Sequence, residues 1–563
     1  MREPALHRWM QAPLADRARV SPATATLLRA IVWMTLVASW FLTIDLQPLF
    51  EPDEGRYAEI PREMWVSGDW VTPRLNGIKY FEKPPLQYWA TAVSYSIFGV
   101  SPWSSRLWAF GLAFACIPMT YAFARAIYGA RVGIAAALAL CTNPLYVLVG
   151  HFNLLDSAFT FFTTAAVFSF LMSRHVPDDV RRERRWMLLT WASLACAVLT
   201  KGVAALVLAG GTVVVYSMVT RDLRVWRQWH VATGLAILLL ISVPWFVIVT
   251  LRNPEFPGFF FIHEHVARFL TTVDSRTGPW WYFLPLTLAA VTPWIASLRT
   301  SLRVAWRGGS KLADPAETPR LLLVWCLFVL VFFSTSQSKL PPYIVPAMPA
   351  LSVLLGLAIA ADASATRRAS WINSALIALL TAALAGYAWY RIAALPPQML
   401  AWLAVALLAA TCGVLFIHWN GERWFEPPRA VGFACMSIVA WQALIMSYVE
   451  LPPVHTAVDL VRTVRPFIAP GESLYSVDEY RQSVPPYLGR TLRLVDYRGE
   501  FDFGLSHDVV PYIPTLDAFM IEWQGRADAV AFVSSRAYVE LVRRGAPMRT
   551  LASDDRSVVV SRR

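Results

Sequence analysis

Long, nearly uncharged apolar segments dominate this chain and limit what it can fold into. A helix needs roughly 20 mostly apolar residues to cross a bilayer. Only 16% of the 563 residues are charged, against about a quarter in soluble domains. The sequence therefore predicts a mostly α-helical, polytopic membrane protein with about 13 transmembrane helices. The predicted spans lie near residues 30–46, 107–124, 132–150, 157–173, 186–200, 202–220, 231–251, 280–298, 321–338, 342–361, 369–390, 396–417 and 429–449.

The positions of the basic residues between these spans predict the topology. Arginine and lysine are enriched in cytoplasmic loops, and here they fall in alternate loops if the N-terminus is cytoplasmic. An odd number of spans then places the C-terminus in the periplasm. Residues 84–105 are also uncharged, but a span there would put Arg181–Arg185 outside. We therefore predict that residues 84–105 lie flat in the outer interface. The same loop bias accounts for the net charge of +12, so no nucleic-acid partner is expected.

Charged and aromatic residues concentrate in the first outer loop, residues 47–106. The stretch EPDEGRYAEIPREMWVSGDW and the following KYFEKPPLQYW combine acids, bases and aromatics in a chain that is otherwise poor in charge. A solvated linker does not need that mixture, so we interpret the loop as a functional site. The outer loop 252–279 and the turn SQSKLPPY can assemble over the same cavity.

The C-terminal part, residues 451–563, has a different pattern from the spans in residues 1–450. Short apolar strands such as AVAFVSS and RSVVVSR alternate with helical stretches such as AYVELVRR. This pattern predicts a small α/β domain, which the topology places in the periplasm. The chain contains neither GxGxxG nor a Walker motif, so no nucleotide cofactor is expected.

Four motifs resemble those of a known enzyme family. The stretches DEGRYAEIPREM, KYFEKPPLQYW, SKLPPYIVPAMPAL and SVDEYRQSVPPYLGR are similar to lipid-linked glycosyltransferases of the GT-C type. The resemblance is to the bacterial lipid A aminoarabinose transferases, relatives of the protein O-mannosyltransferases, and it covers nearly the whole chain. It implies transfer of 4-amino-4-deoxy-L-arabinose from undecaprenyl phosphate to a lipid A phosphate at the periplasmic face of the inner membrane, a lipopolysaccharide modification associated with polymyxin resistance.

Two other functions remain open from the sequence. A related GT-C enzyme could transfer another polyprenyl-linked sugar to lipid or protein, because relatives share the first-loop motif. A lipid or solute transporter is the second alternative. Transporters place ionisable groups near the bilayer midplane, whereas the charges here cluster in outer loops.

Glycosyl transfer requires an anion beside the sugar and cations beside the leaving phosphate, because opposite charges develop there. The resemblance marks Asp53 as the main catalytic acid, with helix N-capping as the alternative. Asp156 is the second acid, again with capping as the alternative. Glu54 and Arg56 are expected to contact substrate, although a structural role also suits Glu54.

Four residues are predicted to contact the carrier phosphate. Lys83, between Glu82 and Pro84-Pro85, is the first candidate and is also expected to be catalytic, because a point charge suits phosphate. Lys201, Arg268 and Tyr343 are the further phosphate contacts. The alternatives are lysines that extend to the membrane surface and an interfacial tyrosine.

A divalent metal ion is the one inorganic cofactor that the sequence suggests. Glu82 and His263 are the expected ligands, and Glu264, His265 and Asp274 are suitable neighbours. The HEH triplet is not the HExxH zinc motif, so the sequence leaves open whether a metal is required.

Overall fold

The computed structural model describes residues 22–562 except 177, 222–225, 227–228, 272–276, 308–316, 363, 419–426 and 452–454. Helix forms the bulk of it, and helices occupy every segment predicted above to span the membrane. The α-helices longer than three residues up to residue 449 are α1 (Pro22–Phe41), α2 (Asp53–Ser67), α3 (Leu86–Phe98), α4 (Pro102–Tyr128), α5 (Ala130–Cys141), α6 (Pro144–Gly150), α7 (Leu155–Arg174), α8 (Val180–Lys201), α9 (Ala204–Thr220), α10 (Val231–Arg252), α11 (Phe283–Ala290), α12 (Ile295–Arg307), α13 (Thr318–Thr335), α14 (Met348–Ala360), α15 (Ala365–Ile392), α16 (Pro397–His418) and α17 (Pro427–Val449). A π-helix, Gly258–Ala267, continues into the short helix Arg268–Leu270.

Several of these helices meet the requirements of a membrane span. Among the described residues, 8 helices are long and apolar enough to cross a bilayer, and α5 with α6 makes a ninth if that bent pair is one span. The prediction of a mostly helical, multi-pass membrane protein is confirmed at this level. Two of the other predicted spans contain shorter apolar helices, Ala30–Phe41 and Ala204–Thr220.

The bend between α5 and α6 has a local chemical cause. The two helices meet at 66° across a short break. Pro144 has no backbone N–H and starts α6, and the Asn143 side chain caps that helix by accepting from the Tyr146 N–H at 2.9 Å. Thr142 accepts a hydrogen bond from Trp294 Nε1 at 2.7 Å. The Asn143 and Thr142 side chains therefore provide hydrogen bonds at the break, which lipid cannot do.

The segment 84–105 is divided between two helices. Its first part forms α3, which has 13 residues and ends at Gly99. At 1.5 Å per residue α3 is about 20 Å long, too short to cross a bilayer. The Ser101 side chain then caps α4 together with Ser104. The interfacial position of α3 stays a prediction, and its exposed Ile97 and Phe98 suit that position.

The last hundred residues form a mixed sheet flanked by helices. The strand order is β4 (Arg493–Val495), β3 (Ser473–Val477), β5 (Ala529–Ser534), β7 (Ser557–Ser561) and β6 (Arg549–Ser553). Strand β3 is parallel to β4 and β5, and β7 is antiparallel to β5 and β6. A separate two-stranded hairpin, β1 (Arg74–Leu75) with β2 (Ile78–Lys79), belongs to the first loop. The other elements are α18 (Val458–Val464), α19 (Val484–Leu488), α20 (Asp502–His507), α21 (Leu516–Gln524) and α22 (Ser535–Arg543).

Candidate active site

Asp53 is the first residue of α2, and its carboxylate is partly exposed. Pro52 occupies the N-cap position, and no side chain caps the helix. The capping alternative for Asp53 is therefore wrong. Asp53 Oδ1 accepts a hydrogen bond from Arg56 Nη1 at 2.9 Å, and its side chain is still 40% exposed. The carboxylate is thus oriented by one guanidinium and remains accessible to a ligand.

Arg56 joins Asp53 to the C-terminal domain. Its side chain is 8% exposed, and its Nε and Nη2 atoms bind Glu500 Oε2 at 2.8 and 2.7 Å. Nη1 binds Asp53, and the guanidinium lies 5.7 Å from the centre of the Tyr80 ring. Every nitrogen of this guanidinium binds a carboxylate, and contact of Arg56 with substrate stays a prediction. Glu500, in the C-terminal domain, was missed by the sequence analysis.

Glu54 is an internal anchor and not a substrate contact. Its side chain is 1% exposed and accepts from Arg106 Nε and Nη2, both at 2.8 Å. The same carboxylate accepts from the backbone N–H of Asn153 at 2.7 Å. Burial in this network leaves it no access to a ligand, which corrects the predicted contact. An arginine in an apolar segment, such as Arg106, is a usable sequence signal for such a pair.

Asp156 and Lys201 form the second charged pair of the site. Lys201 Nζ donates to Asp156 Oδ1 at 2.6 Å and lies 5.2 Å from the centre of the Tyr343 ring. Asp156 lies in the first turn of α7, but the N-cap residue is Leu154 and no side chain caps that helix. The capping alternative for Asp156 is also wrong. Three residues from distant parts of the sequence are therefore adjacent.

Lys83 and Arg268 meet at one buried carboxylate, Glu264. Lys83 Nζ lies 2.9 Å and Arg268 Nη1 lies 2.8 Å from Glu264 Oε2. Burial raises the pKa of Glu264, but the two cations outweigh burial and lower it below its ordinary value. Both cations keep part of their surface exposed, at 19% for Lys83 and 13% for Arg268. The carboxylate therefore fixes two cations side by side. The sequence did not identify Glu264 as their partner, and their contact with a phosphate stays a prediction.

The described residues around Glu82 do not supply a metal site on their own. In the described part of the chain, no three His, Cys, Asp or Glu side chains form a group that could hold one metal ion. Glu82 lies 3.9 Å from Arg268, and His263 Nδ1 lies 3.7 Å from Glu264. The nearby carboxylates thus already face cations. Asp274 falls outside the described residues. Metal binding by Glu82 and His263 stays a prediction that these contacts do not test.

The C-terminal domain packs directly on the start of α2. A Cβ built on Gly55 would lie 2.5–2.7 Å from backbone atoms of Gln482 and Ser483. Glu51 accepts from Arg481 Nε and from Ser483 Oγ, each at 2.6 Å. Together with the contact between Glu500 and Arg56, these bonds fix the helix that carries Asp53. The motif SVDEYRQS was recognised in the sequence, but this role was not.

The chemistry open to this arrangement follows from its charges. An accessible carboxylate, Asp53, begins α2. Two groups of cations, Lys83 with Arg268 and Lys201 beside Tyr343, project from other elements. A reaction that develops positive charge on one fragment and negative charge on another is stabilised by such separated, preorganised charges.

Sequence comparisons match both ends of the chain to glycosyltransferase families. Residues 28–260 match the family described as dolichyl-phosphate-mannose-protein mannosyltransferase. Residues 460–562 match the aminoarabinose transferase C-terminal domain. An undecaprenyl phosphate-alpha-4-amino-4-deoxy-L-arabinose arabinosyl transferase from Serratia proteamaculans (strain 568) is 34% identical over 60% of each chain. The protein of the same name from Pseudomonas paraeruginosa is 29% identical over 87% of this chain and 89% of that protein.

The fold agrees with a solved structure over almost its whole length. The crystal structure of ArnT from Cupriavidus metallidurans bound to undecaprenyl phosphate superposes with a TM-score of 0.86 at 32% identity. The match covers 96% of this chain and 98% of that one, and the apo form gives a TM-score of 0.84. Similarity at this level, from the first helices to the last strand, means that the chain belongs to the ArnT family of aminoarabinose transferases.

Proposed function

We propose that this protein transfers 4-amino-4-deoxy-L-arabinose from undecaprenyl phosphate to a phosphate of lipid A. The observation that carries the proposal is the match over 96% of the chain to an ArnT structure that holds undecaprenyl phosphate. The names of the Serratia and Pseudomonas relatives supply the sugar. The site supports the same reaction, since it combines an accessible acid with paired cations.

Lys83 and Arg268 stabilise the leaving group in this proposal. The bond from the anomeric carbon to the carrier phosphate breaks, and its electron pair goes to that phosphate. Glu264 lowers the cost of placing two cations together before substrate arrives, and their exposed surfaces meet the phosphate oxygens. Lys201 and Tyr343 complete the cationic side of the site. Asp156 belongs to that side as well, because it orients Lys201.

Asp53 acts on the sugar in this proposal. A lipid A phosphate is already ionised near neutral pH, so its oxygen attacks the anomeric carbon without a general base. The sugar then carries partial positive charge, which a carboxylate stabilises. Arg56 and Glu500 keep that carboxylate in place. The amine of aminoarabinose is a second group that Asp53 can bind.

The topology completes the proposal. Thirteen spans in a bacterial inner membrane, a cytoplasmic N-terminus and a periplasmic C-terminal domain bring Asp53, Lys83 and Arg268 to the periplasmic face. The alternating charge of the loops supports this arrangement. A reporter fused after residue 563 should be active only if that end is periplasmic. Cytoplasmic-type reporter activity there would contradict the thirteen-span arrangement.

Mass spectrometry of lipid A tests the function directly. Cells that lack their own aminoarabinose transferase but make the donor should add one pentosamine to lipid A when they express this protein. The Asp53→Asn variant should fold and add none, because the change keeps the size of the side chain and removes its charge. A different added mass would identify another sugar. Normal modification by folded Asp53→Asn protein would remove Asp53 from the mechanism.

A further inference from the structure

Glu264, which joins Lys83 to Arg268, lies on a π-helix of unusual length. The π-helix Gly258–Ala267 has 10 residues and continues into the short helix that begins at Arg268. Most π-helices last a single turn inside an α-helix, and many of them occur at functional sites. Local hydrogen bonds therefore do not explain this geometry by themselves, and contacts with other elements are needed to keep Glu264 and Arg268 in place.

The C-terminal domain supplies one of these contacts through Phe503 on α20. The Phe503 ring stacks on that of Phe259, in the first turn of the π-helix, with 4.0 Å between the ring centres. Phe259 stacks in turn on His263, with 5.0 Å between the ring centres. The stack thus connects the C-terminal domain to the residue that directly precedes Glu264.

Phe503 also contacts the segment that carries Lys83. Its ring centre lies 6.2 Å from that of Phe81, two residues before Lys83, and the rings meet edge to face. The helix of Phe503 packs closely on strand β2, because a Cβ built on Gly504 would lie 2.5 Å from the Lys79 carbonyl oxygen. One side chain of the C-terminal domain therefore contacts both segments whose cations meet at Glu264.

Phe503 and Phe259 also pack against one buried apolar cluster. The cluster combines residues of the first outer loop, α8, α10 and the start of the π-helix. Its buried members are Phe81, Leu199, Trp245, Val249, Phe256 and Phe260. Closely packed side chains transmit displacements to their neighbours. A change at Phe503 is therefore expected to move the Lys83 segment and the π-helix relative to each other.

We propose that Phe503 is a positioning residue, whose ring holds the Lys83 segment and the π-helix together and so aligns Lys83 and Arg268 for the carrier phosphate. Phe503 acts through these two cations and needs no contact with substrate. Cations that are already in place need no reorganisation when negative charge develops on the leaving phosphate. The assignment rests on the proposed function, in which Lys83 and Arg268 contact the phosphate, and it adds the residue that aligns them.

Phe503→Leu tests the assignment, because it removes the ring and keeps an apolar side chain. It should weaken binding of undecaprenyl phosphate to the detergent-purified protein about threefold to tenfold, the range that loss of an aromatic pair corresponds to. Binding of undecaprenol, which has the same chain without the phosphate, should stay unchanged. Phe467→Leu is the matched control in the same domain, because the Phe467 residue is 58% exposed; it should bind both lipids normally.

The Arg268→Gln background separates alignment of the cations from a general loss of structure. There the further effect of Phe503→Leu on binding of undecaprenyl phosphate should fall below about twofold, because the second cation is no longer present to be aligned. The same weakening in both backgrounds would overturn the assignment, and so would equal weakening for undecaprenol or unchanged binding by Phe503→Leu. Since binding is measured without turnover, a wild type that binds undecaprenyl phosphate but adds no pentosamine would refute the proposed function alone.

Discussion

Gly55→Ala tests whether the C-terminal domain positions the catalytic carboxylate. A methyl group at Gly55 would lie 2.5 Å from the Gln482 carbonyl carbon and 2.7 Å from the Ser483 nitrogen. Both are backbone atoms, so no side-chain rotation relieves the contact. Ordinary contact requires the two segments to separate by about 0.7–0.9 Å, because protein interiors are closely packed.

The consequences for stability and rate can be estimated. Overpacking costs about 1–3 kcal/mol, offset by about 1 kcal/mol because alanine favours helix over glycine. The separation lengthens the bonds of 2.7–2.8 Å between Arg56 and Glu500 to about 3.5 Å, beyond hydrogen-bond range. A displacement of about 1 Å at a catalytic group can cost roughly 100-fold in rate. We therefore expect a modest loss of stability and a loss of turnover of up to about 100-fold.

The assay is turnover of the sugar donor per molecule of protein that elutes as a single species in size-exclusion chromatography. Gly111→Ala is the matched control, because it makes the same change inside a helix where a Cβ meets nothing within 4 Å. The control should have normal turnover. Turnover of Gly55→Ala within threefold of the control would refute the idea that the C-terminal domain holds α2 in its catalytic position.

Three further predictions concern charged residues. Lys83→Ala should lower turnover by about 100–1000-fold, as loss of an oxyanion donor does, and turnover within threefold of normal in folded protein would contradict its phosphate role. Burial first and Glu59 second raise the pKa of Glu63 from 4.5 to about 8. Stability should therefore fall as pH rises through this window, and Glu63→Gln should flatten that dependence in thermal denaturation curves. Arg106→Met leaves Glu54 buried without its partner and should destabilise the protein by about 3–5 kcal/mol, measured as a lower melting temperature in detergent; an unchanged melting temperature would refute the anchoring role.

The spans could be predicted because hydropathy is a local property. The predicted segment 231–251 coincides with α10, Val231–Arg252, and 396–417 with α16, Pro397–His418. Breaks within a span were harder to predict from the sequence. The predicted span 132–150 bends by 66° at Asn143, where one proline and one capping side chain decide the geometry.

The site was only partly predictable, because its geometry depends on pairs that are distant in sequence. Lys83, Arg268 and Tyr343 were expected to meet at the carrier phosphate. Lys83 and Arg268 meet on Glu264, whereas Tyr343 lies beside Lys201. Charge and position could not reveal that Arg56 binds Glu500, 444 residues away. The sequence did distinguish Asp53, named as the main acid, from Glu54, for which it offered a structural role; Glu54 is enclosed and Asp53 is accessible.

The contacts between α2 and the C-terminal domain also determine when activity can appear during biosynthesis. Glu51 and Arg56 bind partners 430 and 444 residues further along the chain. At a synthesis rate of about 5–20 residues per second, α2 is made roughly 20–90 s before those partners exist. A growing chain therefore carries Asp53 for this time without the groups that orient it. We therefore expect the enzyme to become competent only after its last strands have folded, and a prematurely terminated chain that still inserts all its helices should be inactive.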